Sequence, residues 1–430
     1  MASVISNSAE DHQQADKKNI INKKGFDNQL QINLNNNFEN ALNQNVRTVH
    51  GTRYLFNGFR FLGIYMPKKN RVFYVIWSFL INSAVTIYLP VGFILTLLTT
   101  SSNDLKFGDL LTTAQAGVNT VGSSVKFTLM GFLLPKLLST ENILNRLDER
   151  CKTTEELDSI NKFIKDGNRF VVLFAITYWT YTTATCISSV ISARLPYNLY
   201  NPFFVYHQST ELFILSILME MILMNTVGFQ QVVDDSYPII YVNILRTHID
   251  LLLKRIKRLG LARSMSHEET YEELKLCIID HKNIIEVYNI VSSVISMTMF
   301  VQFTTTAIVL GTTLINILLF ATNFLSTIAS CFYVLAVIAE IFPLCYYAQY
   351  LIDESNLLAD AMFHSNWMEQ DLRYQKLLIF FTQRSQRVMD LSAGKLFPIT
   401  LKSFLSVAKF SFSLYTLIKG MDVKERFGLN

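Results

Sequence analysis

Along this 430-residue chain, long uncharged runs alternate with shorter stretches rich in Lys and Arg. Val72 to Leu98 is the first run, 27 residues without a charge. A helix crosses the roughly 30 Å hydrocarbon core of a bilayer in about 20 residues, so this run predicts a membrane span, and a span tolerates Pro90 and Gly92. Asp109 to Leu138 is weaker, interrupted by Gln115, Asn119 and Lys126. It counts as a second span because Gly117, Gly122, Gly131 and many hydroxyl residues suit close packing inside a bundle. Phe170–Ala193 is the third span and Phe203–Phe229 the fourth, after which Pro238 is expected to interrupt the chain. Val287 to Ala339 then carries no charge for 53 residues. As one helix that is about 80 Å, so it predicts spans 5 and 6 joined by a turn around Asn316–Asn323, with the sixth leaving the membrane near Tyr350.

Lys395 to Gly420 (KLFPITLKSFLSVAKFSFSLYTLIKG) is long enough for a seventh span as a single helix. Lys402, Ser406, Lys409, Ser413, Thr416 and Gly420 recur every three or four positions, so they stack on one narrow face, with Leu417 beside them. Polar groups within a bilayer turn toward protein or water. The seam therefore either packs against a neighbouring helix or lines a pore between subunits. Lys402 and Lys409 sit awkwardly in the second case, because they repel cations in a narrow passage.

Two stretches between spans 4 and 5 have the helical period without the length of uncharged chain. Val242, Leu245, Ile249, Leu252, Ile256 and Leu259 form one apolar seam, and Gly260 ends that helix. Ser266 and Glu269 form a capping box that starts the next, with Tyr271, Leu274, Ile278, His281, Ile285 and Tyr288 as its seam. This coiled-coil spacing suits contacts between subunits.

Half of the residues are hydrophobic and 17% are charged, which with the uncharged runs indicates an all-α, polytopic membrane protein with seven spans. The formal charge of +4 matters through its placement. Arg53, Arg60, Lys68, Lys69 and Arg71 precede span 1, and residues 140–169, 230–286 and 351–395 hold most other basic residues, while Lys106 and Arg194 stand nearly alone in the alternate loops. Positive charge stays inside, so the N-terminus is expected in the cytosol and the C-terminus outside. Residues 1 to about 45 are rich in Asn, Gln and Lys and read as a disordered tail without a cleavable signal peptide. The five cysteines show no CxxC or metal-ligand spacing and read as structural thiols. There is no phosphate loop, no HExxH and no nucleophile elbow, hence no catalytic residues, metal or cofactor to name. No internal repeat of the transporter kind is visible, and the basic clusters flank membrane spans rather than interleave with aromatics for nucleic acid.

Three segments carry a family resemblance: CIIDHKNIIEVYNIV at 277–291, PLCYYAQYLIDESNLLADAMFHSNWME at 343–369, and LLIFFTQRSQ at 377–386 followed by the seventh-span sequence. Together with the inverted layout, they resemble the insect odorant receptors. One departure is Arg387-Val388, where the family often has Pro after RSQ. The resemblance implies the ligand-binding subunit of an odour-gated, non-selective cation channel in the plasma membrane of olfactory dendrites. In such channels four subunits surround a pore built from the last helix, and a tuned subunit assembles with a shared co-receptor. This chain lacks the long insertion between spans 4 and 5 that marks the co-receptor, so it resembles a tuned subunit. The alternatives are a seven-span chemoreceptor signalling through a cytosolic partner of the G-protein type, a gustatory-type receptor channel, and, third, a transporter; the outward-facing Ser192-Ala193-Arg194-Leu195 weighs against coupling to a G protein.

On this resemblance residues 1–71 are the cytosolic tail and flank, 72–229 spans 1–4, and 230–286 a cytosolic anchor. Residues 287–350 are spans 5–6, 351–394 further anchor, 395–420 the pore-lining span and 421–430 an extracellular tail. It implies a gate at Leu417, with Ser413, Gly420 and Met421 nearby. It places a pocket for a small volatile molecule among Val118, Tyr178, Tyr181, Thr182, His207, Glu211, Ser330, Phe332 and Tyr333. An apolar, aromatic cavity with a few hydroxyls suits such a ligand, because shape and dispersion dominate its binding. Each of these residues also has a plain reading as helix packing, and Glu220 one as a partner to a neighbouring group.

Overall fold

A computed structural model describes residues 46–67, 71–99, 107–191, 194–202, 209–261, 266–317 and 324–420. After a 3₁₀ turn at Thr48–Thr52 come α1 (Arg53–Phe61), α2 (Arg71–Thr99), α3 (Phe107–Asp148), α4 (Thr154–Ile191) and α5 (Thr210–Arg258). Then follow α6 (His267–Ile315), α7 (Phe324–Phe363), α8 (Leu372–Ser385), a two-stranded hairpin and α9 (Leu401–Gly420). Six helices among the described residues, α2 to α7, are long and apolar enough to cross a membrane. At about 1.5 Å per residue the 20 residues of α9 also match a bilayer's thickness, though Lys402, Lys409 and Lys419 make it less apolar.

Most of these helices outrun the membrane, so the basic ends of α3 to α7 continue as a second helical layer. Pro238 does not interrupt the chain as expected. It lies inside α5, which continues to Arg258. Proline removes one backbone hydrogen bond, a loss confined to one turn, while Ile239, Ile240, Val242, Ile244 and Leu245 around it are all fully buried. In α2 the run-up to Pro90 is instead a stretch of π-helix, Ser83–Tyr88, which absorbs the irregularity within the span.

The two apolar seams differ from the expectation of inter-subunit contacts. Val242, Leu245, Ile249, Leu252, Ile256 and Leu259 are all buried within the chain, in one cluster with Leu144 and Leu147 of α3, Leu274 and Ile284 of α6, Leu358 of α7 and Phe381 of α8. Tyr271, Ile278, Ile285 and Tyr288 pack on the same cluster. Burial inside one chain leaves the first seam no surface to offer a neighbour. The capping box forms as expected: the Glu269 N–H donates to Ser266 Oγ, and Glu269 Oε2 accepts from the Ser266 N–H.

The seventh span starts later than Lys395. Ser392–Ala393 pairs antiparallel with Phe397–Pro398. Gly394, Lys395 and Leu396 connect them; Gly394 and Lys395 take positive φ, 59° and 58°, and the Leu396 N–H donates to Ala393 O at 3.0 Å to close the turn. The Gly394 N–H donates to Ser296 O of α6 at 2.7 Å, docking the hairpin on that helix. The helix begins only at Leu401, after Thr400, whose Oγ1 accepts the Ser403 N–H. The turn expected at Asn316–Asn323 falls between α6 and α7, and its residues 318–323 lie outside the described residues.

Small residues set how closely helices approach. A Cβ on Gly122 of α3 would lie 2.2 Å from Thr305 Cγ2 of α6. Thr305 is β-branched and its hydroxyl is bonded to Val301 O, so it has little room to turn away. Gly122→Leu is therefore expected to lower the stability of the detergent-solubilised protein by about 1–3 kcal/mol, read as a drop in melting temperature. Gly228→Ala, where nothing lies within 3.8 Å of the added carbon, should melt close to the parent; equal drops would refute the close-approach argument.

Candidate functional site

The least apolar span, α3, is with α6 the most buried of the candidate spans, and Lys126 lies at its centre. Its Nζ donates to Asp235 Oδ1 of α5 at 2.8 Å and to Gln302 Oε1 of α6. Gln302 Nε2 donates in turn to Glu340 Oε1 of α7, whose carboxylate lies 4.0 Å from Lys126. The Tyr178 hydroxyl of α4 donates to the other oxygen of Asp235 at 2.8 Å. Five helices thus meet at one ammonium group, which is 3% exposed. Asp234 beside it is equally buried, and its carboxylate makes no hydrogen bond among the described residues. The sequence shows Lys126 only as a blemish in span 2. Asp234 and Asp235 fall past the expected end of span 4, and Glu340 closes the uncharged run, so nothing in one dimension pairs them.

Above this network, toward the sparsely charged end, lie two small cavities of about 50 and 40 Å³. Asn119, Tyr178, Tyr181, Gln231 and Tyr333 line both; Thr182, Tyr197 and Gly228 line the first, and Glu340 the second. The Tyr181 and Tyr333 rings stack with centroids 5.2 Å apart. A chain segment at 194–202 covers the first cavity through Tyr197. Glu220, 2% exposed, holds that cover by accepting the N–H groups of Tyr197 and Leu199, both at 2.9 Å. Thr96 of α2 ties down its far side, accepting the Tyr200 N–H and donating to Asn198 O.

Of the expected pocket residues, Tyr178, Tyr181, Thr182 and Tyr333 come together here. Val118 packs behind Tyr333 against Val309, Leu310 and Val337, without lining either cavity. Glu211 does not join them. It is exposed in the first turn of α5, where a carboxylate is favoured by the helix dipole. His207 and the side chains of Ser330 and Phe332 lie outside the described residues. Asn119, Tyr197, Gly228, Gln231 and Glu340 are among the lining residues the sequence reading missed; Asn119 and Gln231 are amides in apolar runs, a signal shared by any buried helix contact.

A larger recess of about 490 Å³ opens at the basic end, where Arg150, Arg255 and Arg258 face Glu156 and Glu273. Its inner charges are already matched: Arg255 donates to Glu156 at 2.7 Å and to Asp280 at 2.8 Å, and Arg150 to Asp280 at 2.7 Å. Burial pushes the Cys151 thiol up to about 11 despite the adjacent Arg255, so it remains an unreactive thiol. No group of His, Cys, Asp and Glu among the described residues could hold a metal.

The profile described as "7tm Odorant receptor" matches residues 106–412. The chain belongs to the insect odorant receptor family. Odorant receptor 42b of Drosophila melanogaster is 37% identical over 388 residues, 90% of this chain and 97% of the relative. Odorant receptor 42a of the same fly is 37% identical over 89% of this chain and 94% of its own length. The fold matches that of olfactory receptor OR5 from Machilis hrabei, solved in complex with eugenol, with a TM-score of 0.70 over 87% of this chain and 100% of that one at 14% identity. This is therefore a multi-pass membrane odorant receptor, of a family of ligand-gated channels rather than enzymes.

In the receptor, α9 packs on α6 and α7 with one face only. Phe404 meets Phe342 edge-on at 5.6 Å, Ser411 is fully buried with its hydroxyl directed at Ala307 O, and Leu414 fits against Gly311. Lys402, Ser406, Lys409, Ser413 and Thr416 lie on the exposed side, with Leu417 62% exposed. Among the described residues the polar seam meets no helix of its own chain. Gly420 is the last described residue of α9, and Met421 lies outside the described residues.

Removing one partner of a buried ion pair strands the other in a medium that cannot solvate it. Lys126→Met should destabilise the receptor by about 3–5 kcal/mol, seen as a lower melting temperature and reduced surface delivery. Adding Asp235→Asn should restore part of that loss. A Lys126→Met receptor that melts like its parent would mean the ammonium is not what holds these helices.

Proposed function

We propose that this receptor is the odour-binding subunit of a non-selective cation channel. It assembles with a shared co-receptor around a four-subunit pore, with the basic end in the cytosol and the C-terminus outside. The observation that carries the reading is the two-faced α9: an apolar face held by its own chain, and a polar face left for water or for other subunits. Its outer end, at Leu417 with Ser413, Gly420 and Met421, forms the gate. A ring of apolar side chains there closes the passage by excluding water.

The tyrosine cavity is the odorant site. Together its two chambers are well below the roughly 300–1,000 Å³ of small-molecule sites, so the bound ligand makes room for itself by parting the Tyr181 and Tyr333 rings. The similar fold solved with eugenol supports a small volatile organic molecule as ligand. Tyr178 joins cavity to network, its ring on the ligand and its hydroxyl on Asp235. Displacing it biases the packing of α5 and α6 around Lys126, and α6 carries α9. Cytosolic extensions of α3 to α7, with α8, form the anchor from surfaces outside the apolar seams.

Currents from cells expressing the receptor with co-receptor test both sites. Tyr181→Ala or Tyr333→Ala should raise the half-maximal odorant concentration by about tenfold, the equivalent of about 1.4 kcal/mol for a lost stacked ring. Leu417→Ala should raise odorant-free current or alter cation selectivity, and Leu417→Cys should react with an aqueous thiol reagent in the open channel. Labelling of Phe404→Cys instead would put the pore on the opposite face. An epitope after Asn430 that stains only in permeabilised cells would reverse the orientation.

A further inference from the structure

Beside the tyrosine cavity, between α4 and α5, lies a second apolar recess of about 370 Å³ that opens on the outside of the bundle. Ala175, Ile176 and Trp179 of α4 and Asn225 and Phe229 of α5 form its sides. Its floor is Tyr178, Thr182 and Gly228, and the same three residues wall the tyrosine cavity. One layer of side chains therefore separates the two spaces.

That layer is thin. Gly228 contributes no side chain, and a Cβ placed there would meet nothing closer than 3.8 Å. Beside Tyr178, whose hydroxyl is held by Asp235, the closure is the hydrogen bond from Thr182 Oγ1 to Asn225 Oδ1 at 2.7 Å. The groove's rim, Ile176 and Trp179, is 58% and 66% exposed within membrane-spanning helices. The pore helix α9 packs on α6 and α7, away from this side, so the rim faces hydrocarbon. From the water side, by contrast, the cavity is covered by residues 194–202. Entry there requires releasing backbone groups held by the buried carboxylate of Glu220 and by Thr96.

We propose that the odorant reaches its cavity sideways from the bilayer, through the groove between α4 and α5, with the Thr182–Asn225 hydrogen bond as the latch. The passenger is a neutral, mainly apolar molecule, which leaves water for hydrocarbon spontaneously and finds the groove from there. The inference rests on the tyrosine cavity being the odorant site.

A side chain on the path but clear of the bound ligand alters entry and exit barriers equally, and leaves the binding equilibrium in place. Ala175→Phe fills the groove without touching the cavity. With rapid odorant application to cells expressing the receptor and co-receptor, current onset and washout should both slow by about tenfold, as roughly 1.4 kcal/mol added to a barrier does. The half-maximal concentration should stay unchanged. Asn225→Ala removes the latch and should quicken both phases. If Ala175→Phe leaves both rates as they were, the ligand enters elsewhere. If it shifts the half-maximal concentration instead, the groove is a binding site and the passage is refuted. Failure of the cavity reading shows separately, as no change in half-maximal concentration for Tyr181→Ala.

Discussion

An ammonium group buried among apolar helices cannot remain charged on hydrophobic contacts alone, and the arrangement of this receptor follows from how Lys126 is held. Desolvating an ion costs several kcal/mol, offset only when geometry and further hydrogen bonds are good. Here that requires Asp235, Gln302 and, through Gln302, Glu340, each from a different helix. Rotating any of these helices by one residue about its axis would turn its polar group by about 100° and open the network. The network therefore fixes the relative rotation of α3, α5, α6 and α7, which apolar packing against lipid-like neighbours specifies only weakly. It also explains why the span with the most polar residues is enclosed by the others.

Around that centre, the two ends are closed by different chemistry. At the sparsely charged end a single carboxylate, Glu220, accepts backbone N–H groups of the covering segment. At the basic end Arg150 and Arg255 share Asp280, with Glu273 and Glu156 completing the set. The tyrosine cavity lies between them, where the helices are held apart by ring thickness rather than by charge. Stacked rings slide at small cost compared with breaking an ion pair, so the tyrosine cavity occupies the deformable part of an otherwise constrained bundle.

Much of this was legible in the chain because bilayers impose long uncharged runs and a periodicity that survives in one dimension. The span at Val72–Leu98, the capping box at Ser266 and the polar seam of α9 could all be read that way. Tyr178, Tyr181, Tyr333 and Thr182 of the cavity were legible only through the family resemblance. What failed were inferences from one residue about its neighbours in space. Pro238 suggested a break, but burial of the residues around it outweighs one lost hydrogen bond. The seam at Val242–Leu259 suggested a partner subunit, yet α3, α6, α7 and α8 of the same chain cover it. Glu211 shares a helix with buried Glu220 but sits on its first, exposed turn. The ion-pair network was invisible because its members are spread along the chain from Lys126 to Glu340.

The unbroken run of α5 through Pro238 has a mechanical consequence. Its 49 residues make a rod about 74 Å long, gripped at Asp235 near its middle. A rod held at its middle is a lever: tilting its outer arm by about 5° swings the opposite tip by about 3 Å, since each arm is roughly 37 Å. That displacement matches the scale of helix shifts in known switching transitions. Because α5 is continuous, the side chains beside the tyrosine cavity and those at its basic end belong to one rigid element, with the salt bridge as its fixed point.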